Sequence, residues 1–163
     1  SAAKAARFLN LCSSFSLPVV SLCDTPGFMV GPDSEAEGAA RKMAELFTAG
    51  ANLKSPLVCI FVRKAYGLGA MAMAGSSFVK PVYSAAWPMG EFGGMGLEGA
   101  VKLGFKKELD ELEGEAREDL FNKMVAKMYE AGKAEEAAAF LEIDGVINPM
   151  DTRTLIINSI GLN

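Results

Sequence analysis

The chemistry open to this sequence is narrowed first by what it lacks: none of its 163 residues is histidine. Ser-His-Asp and Cys-His catalysis, imidazole zinc sites and histidine pH switches are therefore excluded. Carboxylates, lysine, tyrosine, thiols, a bound cofactor and the main chain remain. Four segments concentrate residue types with chemical use. The first is Asp24-Thr25-Pro26-Gly27-Phe28, where an apolar run ends in an aspartate and a turn. In a nucleotide hydrolase such an aspartate supports magnesium, but that chemistry needs a phosphate-cradling GxxxxGK[ST] loop upstream, and no glycine precedes Gly27. The segment reads instead as a turn at the end of a strand, shaped by Pro26 and Gly27.

The second segment, Arg63-Lys64-Ala65-Tyr66-Gly67-Leu68-Gly69-Ala70, places glycines where a strand gives way to a helix. Glycine lets the backbone approach a ligand, and the first amides of a helix lack intrahelical partners. Two such N–H groups aimed at one point form an oxyanion hole. The same glycines also suit a tightly packed helix start, so spacing alone leaves both readings open. The third segment, Trp87 to Gly99, is WPMGEFGGMGLEG. It carries no lysine of a phosphate loop, and its glycines shape a loop and helix start around a flat substrate. Glu91 is its one acid suited to moving a proton, the alternative being an exposed or helix-capping carboxylate. The fourth, Ile147 to Arg153, offers Asn148 and Asp151 as turn and cap residues and Arg153 as a brace for the fold. No cluster has metal-ligand spacing.

These segments need a scaffold, and the hydrophobic pattern supplies one. Residues 2–15 read as a helix, and Val19–Cys23 and Leu57–Val62 as short strands of buried type. Between them Ser34 is expected to cap a helix that carries Ala40, Met43, Leu46 and Phe47 on one face and ends near Gly50. Two buried strands joined by a helix predict a parallel, right-handed βαβ unit. A short buried helix is expected over Gly67–Gly75 and a strand over Val79–Trp87. A charged helical region follows from Lys106 to about Gly132, with an apolar stripe of Leu109, Leu112, Leu120, Met124 and Met128. The closing stretch, Ile143 to Asn163, is apolar and turn-rich, helix-like over Thr154–Ile157.

Bulk properties bound the partners. The length fits one domain, 1–163, able to bury a core, and a hydrophobic share of 50% with 22% charged residues excludes disorder. A formal charge of −4 and an isoelectric point near 5.0 argue against nucleic acid. No run approaches the ~18 apolar residues of a membrane helix, and residues 1–10 lack a signal peptide's apolar centre. Cys12, Cys23 and Cys59 lack CxxC spacing, and Cys23 and Cys59 sit in apolar runs as small hydrophobes. That usage fits a reducing, cytosol-like compartment.

The segments CDTPGF, RKAYGLGAMAMA, WPMGEFGGMGLEG and NPMDTR stand in fixed order from Cys23 to Arg153. Together they resemble the C-terminal domain of the carboxyltransferase (β) subunit of biotin-dependent acyl-CoA carboxylases, of the acetyl- and propionyl-CoA carboxylase type, from about Ala3 to Ile157. The resemblance implies an α/β, crotonase-like fold of ββα turns stacked into a superhelix. It implies CO2 transfer between carboxybiotin, held on a carrier protein, and the α-carbon of an acyl-CoA. Carried onto this sequence, the biotin-side oxyanion amides fall at Leu68 and Gly69, with Gly67 as the adjacent turn. Many relatives have Gly-Ala at that pair, and a main-chain donor tolerates the change to Leu68. Tyr66, Gly67, Ala70 and Phe92 would neighbour the cofactor, and Met71 falls where acyl-chain choice is influenced. No metal is implied in this domain.

The implied partners are a carboxyltransferase N-terminal domain, a biotin carboxyl carrier domain, a biotin carboxylase component and further copies of the subunit, in the cytoplasm or a mitochondrial matrix. The resemblance covers the later part of a two-domain subunit, so the expectation is a crotonase-like unit truncated on its N-terminal side and inactive alone. Three alternatives stay open: a biotin-dependent decarboxylase subunit, a crotonase-type hydratase or isomerase using Glu91 and Glu98, and a non-catalytic assembly module.

Overall fold

The computed structural model describes residues 1–161. The last two residues of the expected 1–163 domain and of the closing stretch lie outside the described residues. Helix α1 (Ala2–Ser14) turns Ala6, Leu9 and Cys12 inward at three-residue spacing. Strand β1 (Val19–Thr25) alternates, with Val19, Ser21 and Cys23 buried while Val20 and Leu22 face out. It extends two residues past the expected end, and only one of its faces is buried. Among the described residues, β1 pairs with β2 alone, which places it at the edge of the sheet.

The helix expected to start at Ser34 is instead two. α2 (Pro32–Ala36) begins on Pro32, whose fixed φ suits a first helical turn, so Ser34 lies inside it and caps nothing. Gly38 then adopts φ +73°, a left-handed conformation that breaks the path before α3 (Ala39–Ala51). α3 buries Leu46, Ala49 and Gly50; Met43 and Phe47 are half-buried, and Ala40 faces solvent.

Strand β2 (Leu57–Tyr66) is the centre of the molecule, buried without interruption from Leu57 to Phe61. It outruns the expected end at Val62 because it acquires new partners. Register with β1 is parallel from Val19↔Leu57 to Cys23↔Phe61, then jumps to Thr25↔Ala65. Two steps on β1 thus face four on β2, a bulge that leaves a backbone donor without a strand partner. Asp24 satisfies it: Oδ1 accepts the Lys64 N–H at 3.1 Å, and Oδ2 accepts from Arg63 Nη2 at 3.1 Å. The Lys64 amide foremost, and then Arg63, hold the Asp24 carboxyl below the usual carboxylate range. The aspartate of the first segment is a strand-bulge clamp.

Beyond the bulge, β2 runs directly into α4 (Gly67–Met73), which buries Gly69, Ala70 and Ala72. β3 (Tyr83–Ala86) is shorter than the expected 79–87: Val79 and Val82 are exposed, and Pro81 between them has no amide to give a sheet. The glycine-rich third segment contains an unexpected strand, β4 (Glu91–Gly93), paired in parallel with Lys64–Tyr66. α5 (Leu97–Gly104), α6 (Lys106–Asp110) and α7 (Gly114–Ala131) follow. The single charged region expected from Lys106 is interrupted at Gly114, whose φ is +56°. Of its stripe Leu109 is buried, while Leu112, Leu120, Met124 and Met128 are half-buried. α8 (Ala134–Ala139), β5 (Gly145–Val146) and α9 (Thr152–Ile160) complete the chain.

The sheet order is β1-β2-β3-β5, with β4 on the far half of β2, and every strand pairing is parallel. The expected parallel β1-helix-β2 unit is present. Helices cover both faces of the central strand, the arrangement a continuous apolar strand demands. At the end of the chain the expected bracing is done by Asn148, which accepts from the Met150 N–H at 2.9 Å, and by Thr152, which accepts from Trp87 Nε1 at 3.0 Å. Arg153 is exposed and makes no ion pair among the described residues.

Candidate functional site

The glycines of the first two segments are packed on each other. Gly27, at φ +105°, donates its N–H to Thr25 Oγ1 at 3.3 Å and lies so near α4 that a Cβ on Gly69 would sit 2.8 Å from Gly27 Cα. A Cβ on Gly67, whose φ is +57°, would sit 2.7 Å from the Gly94 carbonyl oxygen. The turn from β2 into α4 is therefore gripped between the β1 end and the β4 loop, and only glycine fits at either contact.

This turn borders an open cleft of about 540 Å³. Gly67, Leu68 and Met71 form one wall, with Phe78 and Phe92 beside them; Lys133, Glu136, Ala137 and Phe140 form the other. Phe61, Phe78 and Phe92 meet edge to face with ring centroids 5.1, 5.2 and 6.0 Å apart, which fixes the aromatic side of the cleft. Leu68 is 59% exposed at the rim. Tyr66 caps α4 without a side-chain bond, and no side chain or loop carbonyl among the described residues accepts the N–H of Leu68 or Gly69. The Gly67 N–H, by contrast, lies where the parallel Tyr66↔Gly93 register directs it to the β4 backbone. Amides of a helix's first turn have no partner within the helix and are donors of the kind that stabilise a developing oxyanion.

Of the residues singled out by sequence, Gly67, Leu68, Met71 and Phe92 thus meet at one cleft. Gly69 is buried against Gly27, and Ala70 is wholly buried with Cys23, Cys59 and Phe61. Tyr66 is buried too and donates its hydroxyl to Glu91 Oε2 at 2.6 Å. Burial first and Glu91 second push the Tyr66 phenol well above its ordinary pKa. Glu98 accepts the Tyr129 hydroxyl at 3.1 Å. Neither Glu91 nor Glu98 lines the cleft, so the two carboxylates a hydratase would need are tied to tyrosines elsewhere. Burial pushes the Cys23 thiol up to about 12 and raises Cys59 as well, which disfavours the thiolate at both. The described residues hold no group of three His, Cys, Asp or Glu placed for a metal.

Sequence reasoning missed the second wall. Lys133, Glu136 and Phe140 come from α8 and its flanks, a short Ala- and Glu-rich stretch with no motif. The one local signal is Phe140-Leu141, two large apolar residues closing a polar helix, exposed at 77% and 82%.

The parallel α/β sheet thus places the first-turn amides of α4 at the edge of an apolar cleft. The chain belongs to the carboxyl transferase domain family, whose model, described as "Carboxyl transferase domain", matches residues 1–163. It is 35% identical over 162 residues to the biotin-dependent acetyl-/propionyl-coenzyme A carboxylase beta5 subunit of Mycobacterium leprae, covering 98% of this chain and 29% of that protein. Among solved structures, a single-chain, multi-domain long-chain acyl-CoA carboxylase is 53% identical with a TM-score of 0.86, over 96% of this chain and 15% of that one. The transcarboxylase 12S hexamer, solved with methylmalonyl-CoA and methylmalonic acid bound, is 32% identical with a TM-score of 0.89, over 99% of this chain and 31% of that one. The expected crotonase-like α/β fold is the one shared with these carboxyltransferases. The chain spans about 30% of the length of the curated relatives it matches.

Proposed function

We propose that this chain supplies the biotin-facing half of a carboxyltransferase site that moves CO2 between carboxybiotin and the α-carbon of an acyl-CoA. The observation that carries this reading is the β2-to-α4 turn: first-turn backbone N–H groups of α4 at the edge of an apolar cleft, in a chain without histidine. Carboxybiotin, when bound, supplies the activated carboxyl group. The residues present fit such a group, since a ureide asks for N–H donors and a flat apolar wall, and Leu68 with Phe92 and Phe78 offers both. The Leu68 and Gly69 amides donate to the oxygen on which negative charge develops, and the glycine contacts at Gly27 and Gly94 hold those amides in place beforehand. The phenylalanine wall keeps water from the reacting groups. Met71, one turn along α4 from Leu68, meets the acyl group.

Family membership and the names of the relatives support this reading. They also support its partners: a carboxyltransferase N-terminal domain, a biotinylated carrier domain, a biotin carboxylase component and further copies of the subunit. By the same reading the protein works in the cytoplasm or in a mitochondrial matrix.

The site is tested at Leu68 in the full-length protein assembled with its carrier. Leu68 lies in the first turn of α4 with its side chain exposed, so Leu68→Pro removes the amide with little harm to the helix. Loss of one oxyanion donor costs roughly 10²–10³ in kcat, and Leu68→Pro should show that loss. Leu68→Ala, which keeps the amide, should not show it, and neither should Cys23→Ser. Equal losses in Leu68→Pro and Leu68→Ala would place the oxyanion hole elsewhere.

A further inference from the structure

Resting on the carboxyl-transfer reading, we infer that Tyr66 and Glu91 are a positioning pair: the bond between them fixes the Leu68 amide relative to the far wall of the cleft. Parallel pairing of Lys64–Tyr66 with Glu91–Gly93 makes a short two-stranded ribbon with unlike faces. Ala65 and Phe92 line the cleft. Side chains alternate along a strand, so Tyr66 and Glu91 lie on the reverse face. There the Tyr66 hydroxyl donates to Glu91 Oε2 at 2.6 Å, diagonally across the ribbon. A hydroxyl held by a carboxylate makes a short, charge-assisted bond, roughly twice as strong as a neutral one. Burial first and Glu91 second keep the phenol protonated, so the donor is present throughout the neutral range.

Placement gives this bond a part in the chemistry. Tyr66 ends β2, and the Leu68 amide follows two residues later. Glu91 opens β4, which touches both walls of the cleft. On one side β4 pairs with β2; on the other Glu91 bridges Lys133, and the Phe92 N–H donates to the Gly132 carbonyl at 2.7 Å. Lys133 begins the second wall. A strand of three residues has few backbone bonds to hold its register, so the side-chain bond at its start counts for much. Any slide of β4 carries Gly94 with it, and the Gly94 carbonyl oxygen is what grips Gly67 beside the Leu68 amide. Glu98 and Tyr129 stand next to the pair, the Tyr129 hydroxyl donating to Glu98 at 3.1 Å, and they tie α5 and α7 to the same face.

The test uses the full-length protein assembled with its biotinylated carrier and offered acetyl-, propionyl- and dodecanoyl-CoA, the fastest substrate being kept for the variants. Glu91→Ala should lower kcat about 10–100-fold, as a small misplacement of catalytic groups does, with KM for the acyl-CoA nearly unchanged. Glu91→Gln, which keeps an oxygen for the Tyr66 hydroxyl, should restore most of the rate. Tyr66→Phe removes one oxygen, leaves β4 untouched, and should lose as much as Glu91→Ala; the two together should lose no more than either. In a Leu68→Pro background Glu91→Ala should cost little further, because the amide it positions is gone. Unchanged kcat in Glu91→Ala and Tyr66→Phe, or a loss that simply multiplies that of Leu68→Pro, would overturn the positioning role while leaving carboxyl transfer standing. Carboxylation of none of the three acyl-CoAs by the parent would overturn both.

Discussion

At the residue scale, three side chains show how local chemistry and stability are traded. Leu141 sits at φ +59° with an 82% exposed side chain, a left-handed conformation that costs an L-residue about 1–2 kcal/mol. Leu141→Gly relieves that strain and should raise stability by roughly 1 kcal/mol in urea unfolding, less glycine's greater freedom in the unfolded chain. Ser21 carries a buried hydroxyl that meets no partner stronger than the Cys59 thiol, a weak hydrogen-bonding group, among the described residues. Ser21→Ala should therefore be neutral or stabilising by up to about 1–2 kcal/mol, read from the thermal midpoint. Tyr66 behaves in the opposite sense. Its phenol is raised in the folded state, so its contribution is full below the unfolded pKa of about 10 and is lost as pH rises through the folded value. Tyr66→Phe gives up the bond to Glu91 at neutral pH, but the fall in stability between pH 8 and pH 11 should be shallower than in the parent. Which residue types were chemically available could be read from the sequence. That Tyr66 turns from the cleft toward Glu91, and that Leu141 is strained, could not, because both depend on where distant segments dock.

At the scale of elements, glycine contacts decide how closely the pieces approach. A Cβ on Gly69 meets the Gly27 backbone, whereas a Cβ on Gly94 meets nothing within 4 Å. Gly69→Ala should cost about 1–3 kcal/mol through overpacking, and Gly94→Ala should stay within about 0.5 kcal/mol, both measured by urea denaturation. The strands β1, β2 and β3 and the helix α4 were legible in their apolar runs, since a buried strand must be apolar wherever it lies. Three boundaries were not. β2 runs four residues past its apolar run because Asp24 and β4 take up its backbone groups. The helix read from Ser34 breaks at Gly38, and β4 is three residues long, too short for any periodicity to reveal.

At the scale of the molecule, stability is uneven. β2 lies buried between helices, while α7, 18 residues long, buries no residue completely and rests mainly on α5 and α6. In the 163-residue chain, hydrogen exchange across α7 should proceed by local opening that low denaturant hardly affects. Exchange in Leu57–Phe61 should wait for global unfolding and track the denaturant. Uniform protection across both would show that α7 is part of the central cooperative unit.

By itself the sequence determined which chemistry was excluded and which family the chain resembles. The lack of histidine leaves carboxylates, lysine, tyrosine, thiols, a cofactor and the main chain, and the ordered motifs name the family, whose resemblance points to the amides at Leu68 and Gly69. Composition and short motifs suffice for that much, because they are properties of neighbours in the chain. Only the tertiary structure decided which residues share a cleft. It buried Gly69 and Ala70, drew Glu91 and Glu98 away to tyrosines, and brought Phe140 across from Leu68 and Met71. Those outcomes are set by parallel strand register and by glycine-to-backbone contacts such as Gly27 against Gly69, between segments tens of residues apart whose meeting leaves no periodic trace in the chain.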